Sequence, residues 1–154
     1  MRPADGVVQT KGTDFGEDLK RSGLKNTRHR ASILEVLQKN DRPMTAEQVY
    51  LELKEGDIHV NLSTVYRTLE TLAEKDLVVK LNIAGETRTL FELNHKVHRH
   101  YLVCLGCKKI LAIDKCPLED YEKALAEETN FSIEGHKLNI YGYCPECREK
   151  NGEA

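Results

Sequence analysis

Two Cys-x-x-Cys pairs constrain this chain more than any other feature. Cys104-Leu-Gly-Cys107 and Cys144-Pro-Glu-Cys147 stand on either side of residues 108–143. Two residues between cysteines let a tight turn aim both sulfurs at one ion, and two such knuckles complete a tetrahedral thiolate cage of the closed, structural kind. Gly106 and Pro145 suit the turns. Reduced buried thiols or a redox pair are the competing reading; a single pair would leave that open, and the doubling favours zinc. Such a cage clamps the first strand of a small lobe to the end of its last and acts in folding. Cys104, Cys107, Cys144 and Cys147 are the expected ligands.

The reading depends on where the chain resides. No apolar run approaches the ~18 residues that a membrane-spanning helix requires. The start, MRPADGVVQTKGTDFGEDL, has no apolar core of signal-peptide type. The expected compartment is the cytoplasm, with no membrane partner, and thiols there are kept reduced. The 154 residues suit one ordinary domain or two small ones. Cysteines and histidines are segregated: all five cysteines, with His95, His98, His100 and His136, fall in the second half.

The first half has a different character. Net charge is −2, yet from Leu19 to Arg42 seven basic residues face two acidic ones, a local +5. Local fields matter more than net charge for DNA; a charge run is otherwise a solvated helix face. Residues 1–14 read as a loose tail. A short helix is predicted over Phe15–Arg21. Thr27 is a plausible N-cap for a second helix carrying Ala31, Ile33, Leu34 and Leu37, and Asn40-Asp41-Arg42-Pro43 breaks it. Thr45-Ala-Glu-Gln48 is a capping-box pattern that opens a third, which carries Val49, Tyr50, Leu51 and Leu53 and closes at Gly56.

Ser63 is the expected N-cap of a fourth helix, over 63–75, which buries Val65, Leu69, Leu72 and Ala73 and turns Tyr66 and Arg67 outward. Two β-rich runs within 77–93, around Ala84-Gly-Glu-Thr87, predict a hairpin. Helices followed by a hairpin suggest a winged helix-turn-helix over 15–93, with 63–75 as recognition helix; any small helical lobe with a hairpin is the alternative. Over 94–150 the pattern is ββαβ. Strands are expected at His98–Cys104, Lys109–Ile113 and Phe131–Tyr143. The helix between starts near Pro117, ends at Asn130, and has an apolar face of Leu118, Tyr121, Ala124 and Leu125. The class is α+β.

His98 and His100 lie two apart on a predicted strand and therefore point to one side. Both can reach one ion, with Glu92 at the wing end supplying oxygen and His136 and Glu119 as further candidates. Mixed nitrogen and oxygen donors suit zinc, iron(II) or manganese. A solvated histidine cluster, or core histidines bonded to carbonyls, is the alternative. A site joining two lobes would act as a switch, because filling it fixes their angle. Cys116, unpaired before Pro117, can be a further ligand, a redox sensor or a packing residue; packing is preferred.

Three segments in unbroken order carry a resemblance: Ser63-Thr-Val-Tyr-Arg-Thr-Leu69, Val97-His-Arg-His-Tyr-Leu-Val-Cys104-Leu-Gly-Cys107, and Gly135-His-Lys-Leu-Asn-Ile-Tyr-Gly-Tyr-Cys144-Pro-Glu-Cys147. Together, across roughly residues 15–150, they resemble the ferric uptake regulator (Fur) family. The resemblance implies a homodimeric, metal-responsive repressor of metal-uptake genes, with an N-terminal winged helix on DNA and a C-terminal α/β dimerisation lobe. It implies structural Zn2+ on the four paired cysteines, and a sensory Zn2+ or Fe2+ at a site including Glu92, His98 and His100. Glu119 and His136 match a further site near the dimer lobe. Tyr66 and Arg67 match DNA-facing positions of the recognition helix, where Ser63 and Thr64 also belong, and Lys25 matches a basic residue approaching the minor groove.

Two positions depart from the family pattern. Pro43 stands where many members carry a sensory histidine, and Ala112 where a carboxylate is common, with Asp114 two residues on. His59, His95 or Asp114 are the available substitutes. Cys116-Pro117-Leu118 looks like a segment of zinc-sensing members. The implied partner is a double-stranded, pseudo-palindromic operator with half-sites about one helical turn apart. Arg28, Arg30 and Lys25 would contact phosphates. A zinc-stapled binding module without sensing is the alternative. A zinc enzyme is the lesser one, since no His-Glu-x-x-His-type motif is present and catalysis leaves the basic stretch unexplained; the expectation is that the protein is not an enzyme.

Overall fold

The computed structural model describes residues 15–96 and 98–152; the expected tail over 1–14 lies outside them. The element order is α1 (Phe15–Arg21), α2 (Arg28–Asn40), β1 (Met44–Thr45), α3 (Ala46–Glu55), α4 (Leu62–Glu74), β2 (Val78–Leu81), β3 (Leu90–Leu93), β4 (His100–Cys104), β5 (Ile110–Ile113), α5 (Glu119–Thr129), β6 (Asn139–Gly142) and α6 (Pro145–Lys150).

Local signals start and stop the first helices. Thr27 caps α2 by accepting the Arg30 N–H, at 3.3 Å. Thr45 and Gln48 close a reciprocal capping box on α3. At α4 the cap is not Ser63 but Asn61, whose Oδ1 accepts the Thr64 N–H and the Ser63 hydroxyl, each at 2.8 Å. An amide carbonyl two residues earlier reaches the free N–H groups, and Ser63 becomes its donor. The helix therefore begins one residue before the predicted start.

The apolar stripes of these helices meet in one core. Ile33, Leu34 and Leu37 of α2, Val49 and Leu53 of α3, and Val65, Leu69 and Leu72 of α4 are fully buried, with Leu19 of α1 and Phe91 of β3. Leu51 faces solvent, because its position on α3 lies opposite Val49 and Leu53. The hairpin β2–β3 closes this core. It gains a third strand that the sequence did not suggest, the two-residue β1, which pairs Met44 with Phe91 and Thr45 with Leu90.

The second sheet runs β5-β4-β6, with β4 antiparallel to β5 and parallel to β6. The strand expected over 131–143 is regular only at Asn139–Gly142; of the residues before it, Leu138 accepts one hydrogen bond from the Tyr101 N–H of β4, 3.4 Å, and Phe131 is 74% exposed. The helix begins at Glu119, two residues beyond Pro117, and Asn130 ends it in the left-handed conformation. None of its residues is fully buried; of the expected apolar face, Leu118 and Leu125 are half-buried and Tyr121 and Ala124 exposed, so it is only partly covered within one chain.

Alternation along β4 divides its side chains. Tyr101 and Val103 pack inward against Ile83 and Leu90 of the wing, seating the wing on the second sheet. Ala84 N–H adds a hydrogen bond to the Tyr141 hydroxyl, 3.1 Å. On the opposite face Leu111, Leu102 and Ile140 stand in one row across the three strands, all exposed. The cap assignment has a direct test. Asn61→Ala should cost about 1 kcal/mol of stability in urea unfolding, and Ser63→Ala distinctly less, since Asn61 keeps its bond to the backbone.

Candidate metal centres and nucleic-acid interface

The four paired cysteines converge. Cys104 ends β4, Cys107 follows in the turn, and Cys144 and Cys147 lie at the cap and in the body of α6. Their sulfurs all fall within 4.8 Å of one another. Cys107 Sγ lies 3.8 Å from Cys144 Sγ, the edge of a tetrahedron with bonds of ~2.3 Å being about 3.8 Å. A Cβ on Gly106 would come within 2.8 Å of Cys147 Sγ, so glycine is needed for the two knuckles to close.

The thiols also differ in acidity. Backbone N–H groups of Cys144 and Cys107 hold Cys104 down to about 6, the Cys144 N–H at 3.3 Å from its sulfur. Cys147 is pushed up, chiefly by its contact with Cys144. One thiolate forms readily and Cys147 resists, because its hydrogen bond with Cys144, and then burial, favour the neutral thiol. A dication among the four sulfurs favours all of them as thiolates, so the donor set fits zinc.

A second group forms at the other end of β4. His98 Nε2 lies 2.8 Å from His136 Nε2, which lies 2.9 Å from His100 Nε2. Cys116 Sγ stands 3.4 Å from both His100 Nε2 and His136 Nε2. Three ring nitrogens and a sulfur thus surround one point, slightly inside the edges of about 3.3–3.6 Å that a tetrahedral shell of such donors requires. Three nitrogens this close cannot all present lone pairs to one another without a proton or a cation between them. Burial, with His98 and His136 beside it, holds His100 below the usual histidine range, which favours the neutral, ligating form. The group fits a transition-metal ion.

Of the expected metal ligands, the structure brings His98, His100 and His136 together and places Glu92 and Glu119 elsewhere. Cys116, preferred as a packing residue, joins the three histidines. Glu119 points away and pairs with Lys123, 3.1 Å. Glu122, not singled out from the sequence, accepts from His136 Nδ1 and so turns Nε2 toward the cluster. Its position three residues after Glu119, on the same helix, was the available signal. Glu92 is also elsewhere. It is buried and accepts the Tyr101 hydroxyl, with Arg99 Nη1 3.6 Å from its other oxygen. Of the proposed substitutes, His95 pairs with Asp41 at 3.3 Å and exposed His59 with Asp57. Asp114 is exposed at the end of β5 and outside the cluster. Pro43 is buried just ahead of β1.

The residues expected at DNA occupy one side of the first lobe. Ser63, Tyr66 and Arg67 share the exposed face of α4 by their spacing of three and four. Thr64 is half-buried beside the Asn61 cap. Tyr66 donates to Glu47 Oε1 of α3, 2.8 Å, which fixes the ring's direction. Lys25 and Arg28 are exposed, and Arg30 donates to the Lys25 carbonyl, 3.0 Å, bracing the turn before α2. A groove lined by His29, Lys54, His59, Asn61 and Thr64 connects the start of α2 with that of α4. Neither Lys54 nor His29 was singled out from the sequence, since the first sits outside the basic run and a histidine adds nothing to a formal charge count.

The profile of the Ferric uptake regulator family matches residues 21–141. The chain belongs to the ferric uptake regulator family. The Ferric uptake regulation protein of Campylobacter jejuni is 33% identical over 141 residues, 90% of this chain and 89% of that one. The crystal structure of the Vibrio cholerae ferric uptake regulator (Fur) superposes with a TM-score of 0.75 at 33% identity, covering 85% of this chain and all of that one. A Francisella tularensis ferric uptake regulator structure with iron gives 0.72 at 28%, covering 82% and 96%. The mixed helix and sheet fold, with an N-terminal DNA-binding part and a C-terminal dimerisation part, is that of Fur structures. As a Fur-family member the chain is a metal-responsive, DNA-binding regulator. Among the described residues no helix is long and apolar enough to cross a membrane.

The rearranged ligand set makes a sharp expectation. Glu122→Gln should weaken metal binding at the histidine cluster by roughly 10–100-fold, as loss of an orienting carboxylate does, while Glu119→Gln should leave it unchanged. Cobalt(II) titration, followed by visible absorption, separates the two.

Proposed function

We propose that the protein is a homodimeric transcriptional repressor of metal-uptake genes, with a structural zinc on Cys104, Cys107, Cys144 and Cys147 and a sensory ion on His98, His100, Cys116 and His136. The observation that carries the reading is the gathering of four donor atoms, all within 4.8 Å of one another, around the start of the strand that seats the wing. This revises the sensory set expected from the sequence: Cys116 takes the place of Glu92 and Glu119.

The donors argue for zinc as the sensed ion. Three imidazoles and a thiolate suit zinc better than a hard oxygen-preferring ion, and a four-coordinate shell is zinc's habit. The Francisella relative was determined with iron, so iron(II) is the competitor to test. When bound, the ion ties residues 98 and 100 to Cys116 and to His136. The chain's own residues do the rest. Tyr101 and Val103, which follow His100 on β4, pack against the wing residues Ile83 and Leu90.

DNA recognition follows from α4. Tyr66, steered by Glu47, suits a thymine methyl, and Arg67 a guanine edge or a phosphate. Ser63 and Thr64 at the helix start and Lys25, Arg28 and Arg30 ahead of it suit phosphates, giving a steep salt dependence. The uncovered row Leu102, Leu111 and Ile140, together with exposed Tyr121 and Phe131, supports pairing of two copies through the second lobe. Twofold symmetry then requires a pseudo-palindromic operator. The reading assigns 15–93 to DNA and 94–150 to dimerisation and sensing.

The test has two readouts. Metal analysis should find one chelator-resistant zinc per chain and one labile ion. Zinc should restore binding to a duplex selected from random sequence by the zinc-loaded protein. His98→Ala with His100→Ala should keep the resistant zinc and the fold, and lose at least about 1.4 kcal/mol of zinc-dependent DNA affinity, a factor of ten. A single resistant zinc, with DNA binding indifferent to metal, would leave a zinc-stapled module instead.

A further inference from the structure

Arg99 lies between the ligands His98 and His100, and its side chain goes the other way. The alternation that sends the two imidazoles to the cluster sends the guanidinium to the first lobe. There Nη1 lies 3.1 Å from Asp41 Oδ1 and 3.6 Å from Glu92 Oε2, and the side chain is only 14% exposed. Asp41 is the C-cap of α2. Glu92 is on β3, beside the hairpin partner β2. One cation therefore holds two separate elements of the DNA-binding lobe, from a residue flanked on both sides by cluster ligands.

We propose that Arg99 is the positioning residue that transmits occupancy of the histidine–cysteine cluster to the winged helix, through Asp41 and Glu92. The inference rests on the sensory role assigned to that cluster above. It gives Glu92 a role other than metal ligand: its carboxylate is an anchor for Arg99 and Tyr101.

The physical basis is ordering. A guanidinium is a rigid fork, and its bonds to carboxylates are strong only when its backbone is held in place. Residues 98 and 99 precede the paired part of β4, so their backbone has no strand partner to fix it. Ligation at residues 98 and 100 pins the chain on both sides of Arg99 and removes the entropy cost of aiming it. Conversely, docking of Arg99 on Asp41 pre-aligns the two imidazoles. Two events that each order the same three residues favour one another, and the coupling is reciprocal between metal and DNA. Asp41 has φ 45°, a conformation that asparagine also tolerates, so its charge can be removed without disturbing the end of α2.

The experiment compares wild type, Arg99→Gln, Arg99→Lys, Asp41→Asn and the Arg99→Gln/Asp41→Asn double variant, as full chains. Zinc affinity without DNA is read by chelator competition, and cluster occupancy by cobalt(II) absorption. DNA affinity is read with and without zinc, using the duplex selected by wild type. Arg99→Gln and Asp41→Asn should each retain the labile ion and lose about tenfold or more of the zinc-induced gain in DNA affinity. The double variant should lose less than the sum of the two singles, since both break the Arg99–Asp41 contact, while Asp41→Asn also removes His95's partner and Arg99→Gln removes Glu92's. Arg99→Lys should recover part of the gain.

An undiminished gain in Asp41→Asn and Arg99→Gln overturns the inference while leaving the sensor intact. Loss of the labile ion in Arg99→Gln also overturns it, by making Arg99 part of the binding site. If Arg99→Gln does not fold, Asp41→Asn, on the other lobe, decides alone. A wild type indifferent to zinc overturns the sensory reading, and this inference with it.

Discussion

The alternation of side chains along residues 98–104 is the constraint on which the rest of the structure depends. Each step of an extended chain reverses the side chain's direction. His98 and His100 therefore face Cys116 and His136, while Arg99 faces the first lobe. Within β4, Tyr101 and Val103 face the wing and Leu102 faces away. The strand ends in Cys104, a member of the thiolate cage. One short segment thus meets the histidine–cysteine group, the DNA-binding lobe, an open apolar face and the four-cysteine group. A one-residue slip would exchange all of them.

The two clusters divide the work by chemistry. Four sulfurs at the turn end make a closed site suited to holding the small lobe together. That lobe has few buried apolar residues; its satellite core is Tyr101 and Val103 with two wing residues. A lobe this thin needs a staple. Three imidazoles and one thiol at the other end make a site of lower charge, set beside the contact between lobes. Glu122 orients His136 there and Arg99 departs from it toward Asp41. Orientation of ligands from behind and transmission of their position forward use different residues on opposite sides of the same backbone.

The residues legible from the sequence are those whose meaning is local. The capping box, the apolar stripe of α2, the hairpin, and the turns of both Cys-x-x-Cys pairs are set by spacings within a few residues, and each lies where expected. The cap of α4 falls two positions from its expected place because Asn61 and Ser63 are both good caps and only the path of the chain chooses. The strand expected over 131–143 is regular only at Asn139–Gly142, where it lies beside β4. The α5 face that periodicity marks as apolar is only partly covered within one chain, with Leu118 and Leu125 half-buried and Tyr121 and Ala124 exposed.

By itself, the sequence determined the helical first half, the two Cys-x-x-Cys turns and the His98–His100 pair, because these depend on contacts between near neighbours. Only the tertiary structure decided which carboxylates and which thiol meet the histidines. Glu92, Glu119 and Glu122 are alike as residues, and their roles depend on the direction of β3 and the phase of α5. Cys116 reaches His100 and His136 across 16 and 20 positions of chain. The pairing of Arg99 with Asp41 spans 58. Distances of that order are fixed by how two sheets and a helix pack, and no local pattern encodes them.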